Sequence, residues 1–529
     1  MRPSVRVKAR RTADGGGAPV AHGLVADNIA RLRALFPSAV SEGPDGAVLD
    51  VDVLRQLVGD RTVGDADETY GLRWHGKRRA RARALEPPSG ELCPCPDESV
   101  DFGATRNLVI EGDNLEVLKL LQESHAGQVK VVYIDPPYNT GKDLVYADDF
   151  RNGRRRSSTQ IAAPQRVHGD ACEVESGARL HTAWLDMMYP RLALARQLLR
   201  PDGVLFVSID DGELPNLLAL CRELFGEDNH VATFVWEKKR KASNLDRQVR
   251  SITEYVVCFR RAQPVALVAP EDVVERHKPY PFYNTGNRRA VLQFPGGYVR
   301  TQLADGSYPA GRHDDRRTHV VLLDDVMVRD GVIANTFRLE GEWRYAQASL
   351  ERMVATGQRI EIKGRRFKPY VINDEQRAKL VRTLLTRTTY DVGTNEDGNE
   401  EVAALFGDDV FSFPKPTSLV AKLCQLVADP DALVLDFFAG SGTTGHAVMA
   451  LNAADGGRRR FVLVQIPEPL DPASKAQSIA AGFCDAHGLP RTIAALTEER
   501  LRRAAQQIRR THAASDVDLG FRVLRLVLP

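Results

Sequence analysis

The sequence predicts a doubly wound α/β fold around a mostly parallel sheet, with a further domain inserted between the two halves. Three observations carry that expectation. Val129–Ile134 is an apolar run that ends in Asp135-Pro136-Pro137-Tyr138-Asn139-Thr140-Gly141. Residues 432–435 are a second apolar run, ending in Asp436-Phe437-Phe438-Ala439-Gly440-Ser441-Gly442-Thr443-Thr444. Between them lies a long stretch of different texture, richer in proline, glycine and aromatics. Short apolar runs bounded by turn residues suit strands buried on both faces, as a parallel sheet requires.

The elements follow in order. Residues 1–23 are basic and then glycine-rich, the composition of a disordered tail. Residues 24–100 form an N-terminal helical unit, with helical spacing over 25–36 and 51–58 and a proline-rich linker over 87–96. Residues 101–262 make the first half of the main domain. There Leu108–Glu111 is a strand, and Asp113 with Glu116 three positions on can cap the next helix. Residues 151–180 lack a pattern and read as a mobile loop. Met187, Leu192, Leu194 and Leu198 mark a core-facing helix, and residues 204–209 and 255–259 two buried strands. Residues 263–405 are the inserted domain, with turn signals at Asn284-Thr285-Gly286 and Pro295-Gly296-Gly297. Residues 406–475 supply the second half, with a helix over 444–451 and a strand over 461–466. Residues 476–529 are a helical C-terminal segment, basic and amphipathic over 500–510.

The first turn has a definite chemistry. Asp135 sits at the carboxyl end of its strand, and Pro136 and Pro137 remove two N–H donors and stiffen the loop. A carboxylate, a free carbonyl and the Tyr138 ring then lie close together. An exocyclic amine on a nucleobase needs that set: acceptors for its two protons and a ring to stack on. Its lone pair is delocalised into the base, so holding its protons favours a tetrahedral, attacking nitrogen. Positioning can lower the rest of the barrier. Such a base must first leave the duplex.

The second turn lets backbone approach a ligand at Gly440 and Gly442, ahead of a helix N-terminus that can hold a carboxylate. Gly440-x-Gly442-x-x-Gly445 also fits a dinucleotide fingerprint. That fingerprint expects an acid near the end of the next strand, where Gln465 and Ile466 stand instead. No Gly-Lys-Ser/Thr follows, which argues against a nucleoside triphosphate loop. Phe438, Thr443 and Thr444 suit S-adenosylmethionine, with its adenine ring and amino-acid end. In a doubly wound sheet both turns can open into one site at the carboxyl edge.

Composition sets bounds. Lys+Arg of 72 against Asp+Glu of 70 gives a net charge of only +2, so any nucleic-acid contact must come from local clusters. Lys77-Arg78-Arg79 with Arg81 and Arg83, Arg154-Arg155-Arg156, and Lys238-Lys239-Arg240-Lys241 are such clusters. Any one is more readily a solvated face than a phosphate contact, and the second and third gain weight by flanking the proposed base pocket. No apolar run reaches the ~18 residues of a membrane span. Seven sparse cysteines fit a reducing cytoplasm. Cys93-Pro94-Cys95 has no matching second pair, so no zinc site is expected.

The order of the two turns carries a resemblance. Target-base turn first and cofactor turn last resembles the β group of amino DNA methyltransferases, and Asp-Pro-Pro-Tyr resembles the version associated with adenine N6. Leu108 to Leu120, His181 to Leu192, Gly203 to Asp211, Phe413-Pro414-Lys415-Pro416 and Leu519 to Val523 resemble segments of the modification (Mod) subunits of Type III restriction–modification systems. The resemblance covers roughly residues 25 to 525 and is weakest over 262–400. It implies a permuted, Rossmann-like methyltransferase sheet with an inserted target recognition domain. It implies S-adenosylmethionine as cofactor, double-stranded DNA as substrate, and as partners a helicase–nuclease (Res) subunit and a second copy of the chain. Asp135 would hold the N6 amine with the Pro136 or Pro137 carbonyl, and Tyr138 would stack on the flipped base. Phe438, Gly440, Gly442 and Thr443, beyond Asp436, would line the cofactor pocket, approached by Asp113 and Lys415. Gln465 stands where a ribose-binding Glu often does. The alternatives are N4-cytosine as target, a catalytically silent recognition subunit, and an oxidoreductase built on the glycine turn.

Overall fold

The computed structural model describes residues 29–43, 46–49, 51–57, 72–140, 171–241, 249–313, 318–512 and 517–529. The 1–23 tail, most of the 151–180 loop and the Arg154–Arg156 cluster lie outside them. The chain forms two compact units, residues 1–267 with 382–529, and residues 268–381.

The larger unit is built on ten strands: β1 (Glu91–Pro94), β2 (Leu108–Glu111), β3 (Val129–Ile134), β4 (Leu199–Ile209), β5 (His230–Glu237), β6 (Thr253–Arg260), β7 (Leu384–Leu385), β8 (Leu433–Asp436), β9 (Arg460–Gln465) and β10 (Arg522–Val527). Their order across the sheet is β7-β5-β6-β4-β3-β8-β9-β2-β10-β1. The run from β4 to β10 is parallel throughout. β6 and β5 add antiparallel strands at one side and β1 at the other. Strands β3 and β8 are buried along their whole length, as their mostly apolar sequence requires, Lys130 and Asp436 included. They are direct neighbours, with Val131 opposite Val434 and Val132 opposite Leu435.

Beyond a short helix at Val51–Leu57 in its N-terminal region, this unit has the helices α1 (Lys77–Leu85), α2 (Asn114–His125), α3 (Ala171–Leu198), α4 (Leu214–Phe225), α5 (Asn395–Phe406), α6 (Thr417–Leu426), α7 (Thr443–Asp455), α8 (Ser478–Ala486) and α9 (Ile493–Thr511), with a further single turn at Arg387–Tyr390. Asp113 caps α2 by accepting from the Leu115 and Glu116 N–H groups, as the sequence spacing suggests. Residues 171–180 belong to α3 rather than to a loop. Met187, Leu192, Leu194 and Leu198 face the core from that helix.

Three elements differ from expectation. The proline-rich 87–96 stretch is not a free linker: Glu91–Pro94 pairs as an edge strand with β10, its single proline tolerated at the strand's end on an edge with no second partner. The C-terminal segment is not helical throughout, since it ends in β10. The Lys77–Arg79 cluster opens a helix whose cations serve the fold. Lys77 and Arg81 are buried against Glu223, at 3.0 and 3.2 Å, and Arg79 reaches Asp186 at 2.7 Å. The N-terminal region also holds a hairpin, Val40–Gly43 with Gly46–Leu49, between its helical pieces.

The smaller unit is almost wholly β. A seven-stranded and a four-stranded sheet, with one helix (Gln347–Ala355), enclose a core that includes Phe282, Trp343 and the stacked rings of Phe294 and Phe337. It is narrower than the 263–405 insertion. Residues 384–385 join the main sheet as β7, and α5 packs on α9.

Candidate active site

Because β3 and β8 are neighbours and parallel, the turns after them leave the same edge of the sheet. Between them opens a cavity of about 500 Å³. Asp135, Pro136 and Pro137 line one side, and Phe438, Gly440, Ser441, Thr443 and Gln465 the other. The segment ahead of α6 adds Phe413, Pro414 and Lys415.

The turn after β3 is pinned from three directions. Trp184 on α3 donates its indole N–H to the Pro137 carbonyl at 2.7 Å. Asn139, in the left-handed region at φ 58°, donates through Nδ2 to Glu213 Oε1 at 2.6 Å. Glu213 is fully buried and also binds His181 Nδ1 and Asn216 Nδ2, at 2.6 and 2.8 Å. Tyr138 donates its hydroxyl to Asp135 Oδ1 at 2.9 Å and lies 3.3 Å from Glu254 Oε2. Burial, then the charges of Asp135 and Glu254, raise the Tyr138 phenol well above its usual value. It stays a neutral donor.

Lys415 Nζ sits at the centre. It donates to Asp135 Oδ1 and Oδ2 at 2.9 and 2.8 Å and lies 4.9 Å from the centre of the Tyr138 ring, over its face. Glu254 Oε2 is 3.9 Å away. The Lys415 backbone faces the glycine turn, where its carbonyl accepts from the Thr443 hydroxyl at 3.1 Å.

The glycine turn has φ of 52° at Gly440 and 78° at Gly442, a region that a side chain disfavours. Gly442 caps α7. Gln465 Oε1 accepts from the Gly440 N–H at 2.7 Å, so this glutamine braces the turn. Arg500 of α9 is completely buried and donates to the Ser441 and Thr443 hydroxyls at 2.7 and 2.8 Å. Asp436 accepts from the Phe438 N–H at 3.0 Å and the Thr444 hydroxyl at 2.5 Å. Burial above all pushes its carboxyl up to about 7, and the Asp135 charge adds to the rise. Asp113 does not line the cavity. Besides capping α2 it lies 3.5 Å from Arg191.

These residues fit S-adenosylmethionine. The volume is that of a small-molecule site. Gly440 leaves room for close approach, Phe438 offers an aromatic face, and the Ser441 and Thr443 hydroxyls stand at a helix N-terminus able to receive a carboxylate. Gly442 does not line the cavity: it faces Thr497 and shapes the turn from behind.

A family model for DNA methylases matches residues 129–468. The chain belongs to that family. Among curated relatives, this DNA methylase is 33% identical over 487 residues to the Mod subunit of the Type III restriction–modification enzyme StyLTI of Salmonella typhimurium, covering 89% of the chain and 68% of the relative. It is 30% identical to the EcoPI Mod subunit of Escherichia phage P1, over 94% of the chain and 77% of the relative. It is also 30% identical to the EcoP15I Mod subunit of Escherichia coli, with the same coverage.

Three residues of the methylase site escape a reading by motif: Glu254 and Glu213, from β6 and the turn before α4, and Arg500 from α9. Trp184 of α3 lies within the His181 to Leu192 segment, though nothing there indicated its bond to the Pro137 carbonyl. A signal existed for two of them. Glu254 stands at an inward position of an otherwise apolar strand, and Arg500 on the apolar side of its helix. Of the expected basic clusters near the site, Lys238 binds Glu254 at 3.0 Å and Arg240 binds Asp397 and Glu400. Both serve the fold around the pocket.

Proposed function

We propose that this chain methylates adenine N6 in duplex DNA, as the modification subunit of a Type III restriction–modification system. The observation that carries the reading is the single cavity shared by Asp135 and the Gly440–Thr443 turn. S-adenosylmethionine, when bound, supplies an electrophilic methyl group. Asp135 accepts one N6 proton and the Pro136 carbonyl the other, since the Pro137 carbonyl is engaged by Trp184. Tyr138 stacks on the extruded purine. Asp135 and the Pro136 carbonyl would keep N6 aimed at that methyl group, and Asp135 would pass to water the proton that the methylated nitrogen loses. Direct transfer of this kind needs alignment more than acid–base power.

Residues 268–381 form the target recognition domain, folding as a unit with its own core. Its exposed Arg288, Arg289, Arg344 and Arg365 supply cations for DNA. The partners are double-stranded DNA, a Res subunit and a second copy of the chain, and the compartment is the cytoplasm. No helix among the described residues is long and apolar enough to cross a membrane. The intact Asp135 turn and glycine turn argue against a silent recognition subunit.

Incubation with tritiated S-adenosylmethionine and DNA, followed by long-read sequencing of the product, tests the reading. N6-methyladenine at one short asymmetric site is expected. N4-methylcytosine would move the target to cytosine, and label on neither base would refute the assignment.

A further inference from the structure

Lys415 holds the position that the target amine needs. Its ammonium bridges both oxygens of Asp135 and lies over the face of Tyr138, with only 8% of the side chain exposed. Those are the two contacts assigned above to the flipped adenine: a nitrogen donating to Asp135, and occupancy of the Tyr138 face. The base and the ammonium cannot share that space. An ammonium on both oxygens also neutralises the charge that the amine is to meet.

A second seat lies beside the first. Glu254 is buried, with Lys238 on Oε1 at 3.0 Å, while Oε2 points to Lys415 at 3.9 Å. The Tyr138 hydroxyl touches both carboxylates, at 2.9 Å to Asp135 and 3.3 Å to Glu254. The Trp236 ring, 5.7 Å from Nζ, belongs to the residue paired across the sheet with Glu254 and offers a second aromatic face.

We propose that Lys415 is a placeholder for the target amine and Glu254 its alternative counter-ion. As the extruded adenine enters, the ammonium leaves Asp135 for Glu254. Lys415 keeps a buried counter-ion in both states, and Asp135 exchanges the ammonium for the N–H of the amine. Lys415 and Glu254 are positioning residues that set how readily the base is captured. The proposal rests on the adenine methylation proposed above.

The test uses the full chain and a duplex carrying 2-aminopurine next to the adenine that sequencing shows to be methylated, so that the target keeps its N6 amine. The probe's emission rises when the neighbouring adenine leaves the stack. Glu254→Gln weakens the ammonium's second seat and should lower the base-capture constant roughly tenfold, while binding of S-adenosylmethionine stays as in wild type. Lys415→Met should tighten capture, and adding it to Glu254→Gln should restore capture lost in the single variant. A merely structural Glu254 would not be rescued in this way. Capture by Lys415→Met no tighter than wild type would overturn the proposal, as would a double variant as weak as Glu254→Gln. Wild-type protein that methylates no adenine would instead refute the function on which it rests.

Discussion

Val131 of the catalytic strand pairs with Val434 of the cofactor strand. That register brings Asp135 and Gly440 onto one cavity although the chain between them passes through an entire second unit. The carboxylate is the group closest to the chemistry. Asp135→Ala should lower methyl transfer by about 100- to 1000-fold, the range for removing one group preorganised for the transition state. Binding of S-adenosylmethionine should change only a few-fold. Single-turnover transfer and calorimetric titration separate the two.

The turn is held as much as it is shaped. Trp184→Phe keeps most of the ring but removes the donor to the Pro137 carbonyl. The expected loss is about 1 kcal/mol of stability. The turnover number should fall further than that loss alone implies, because the Pro136 and Pro137 backbone is freed to shift. Urea unfolding and kcat measured on the same preparation check both parts.

How far the site was legible follows from where each residue lies. Asp135 and Gly440 stand in contiguous turns, each after an apolar strand, and a local pattern is visible in one dimension. Glu254 and Glu213 act from other elements, and only folding makes them neighbours of Tyr138 and Asn139. Lys415 was placed by its local motif beside the cofactor, and its backbone does touch the glycine turn. The direction of its side chain, toward Asp135, depends on β3 lying next to β8 and could not be read locally. Lys77 and Arg81 show the converse error. Their density suggested a surface cluster, but at four-residue spacing they share a helix face that meets Glu223.

Asp436 gives a pH signature. Its carboxyl rises from 3.8 to about 7 on folding, mainly through burial. The native state therefore holds a proton that the unfolded chain has lost. The stabilisation from this group is complete below 3.8 and is lost as pH rises through about 7. Asp436→Asn keeps the shape and removes the titration. Its thermal midpoint should rise relative to wild type between those pH values and level off above. Parallel melts across the range would show a constant difference if the group did not titrate there.

Gly442 cannot accept a side chain cheaply. Its φ of 78° is left-handed, and an added Cβ would lie 3.1 Å from Thr497 Cγ2 and 3.3 Å from the Thr497 carbonyl. Gly442→Ala should cost about 1–2 kcal/mol from the backbone alone. Because Gly442 caps α7, relief of that strain would move the helix start. The affinity for S-adenosylmethionine should therefore fall more than tenfold, read by titration at a temperature where the variant is fully folded.

Arg500 connects stability and ligand binding. It is wholly buried, with Nη1 on the Ser441 and Thr443 hydroxyls and Nη2 3.7 Å from Glu401. The two hydroxyls line the cavity, so the guanidinium sets their direction while staying out of the site. Arg500→Met fills similar space but strands those partners. Unfolding should become easier by about 3 kcal/mol, the cost of orphaned buried polar groups and a broken ion pair. Added cofactor should also rescue the variant less than the wild type. A bound ligand stabilises in proportion to the logarithm of its concentration over its dissociation constant. If Arg500 orders the cofactor turn, the gain in melting temperature at saturating S-adenosylmethionine in wild type should need a far higher concentration in the variant. Equal gains at equal concentrations would show that Arg500 stabilises the fold without shaping the pocket.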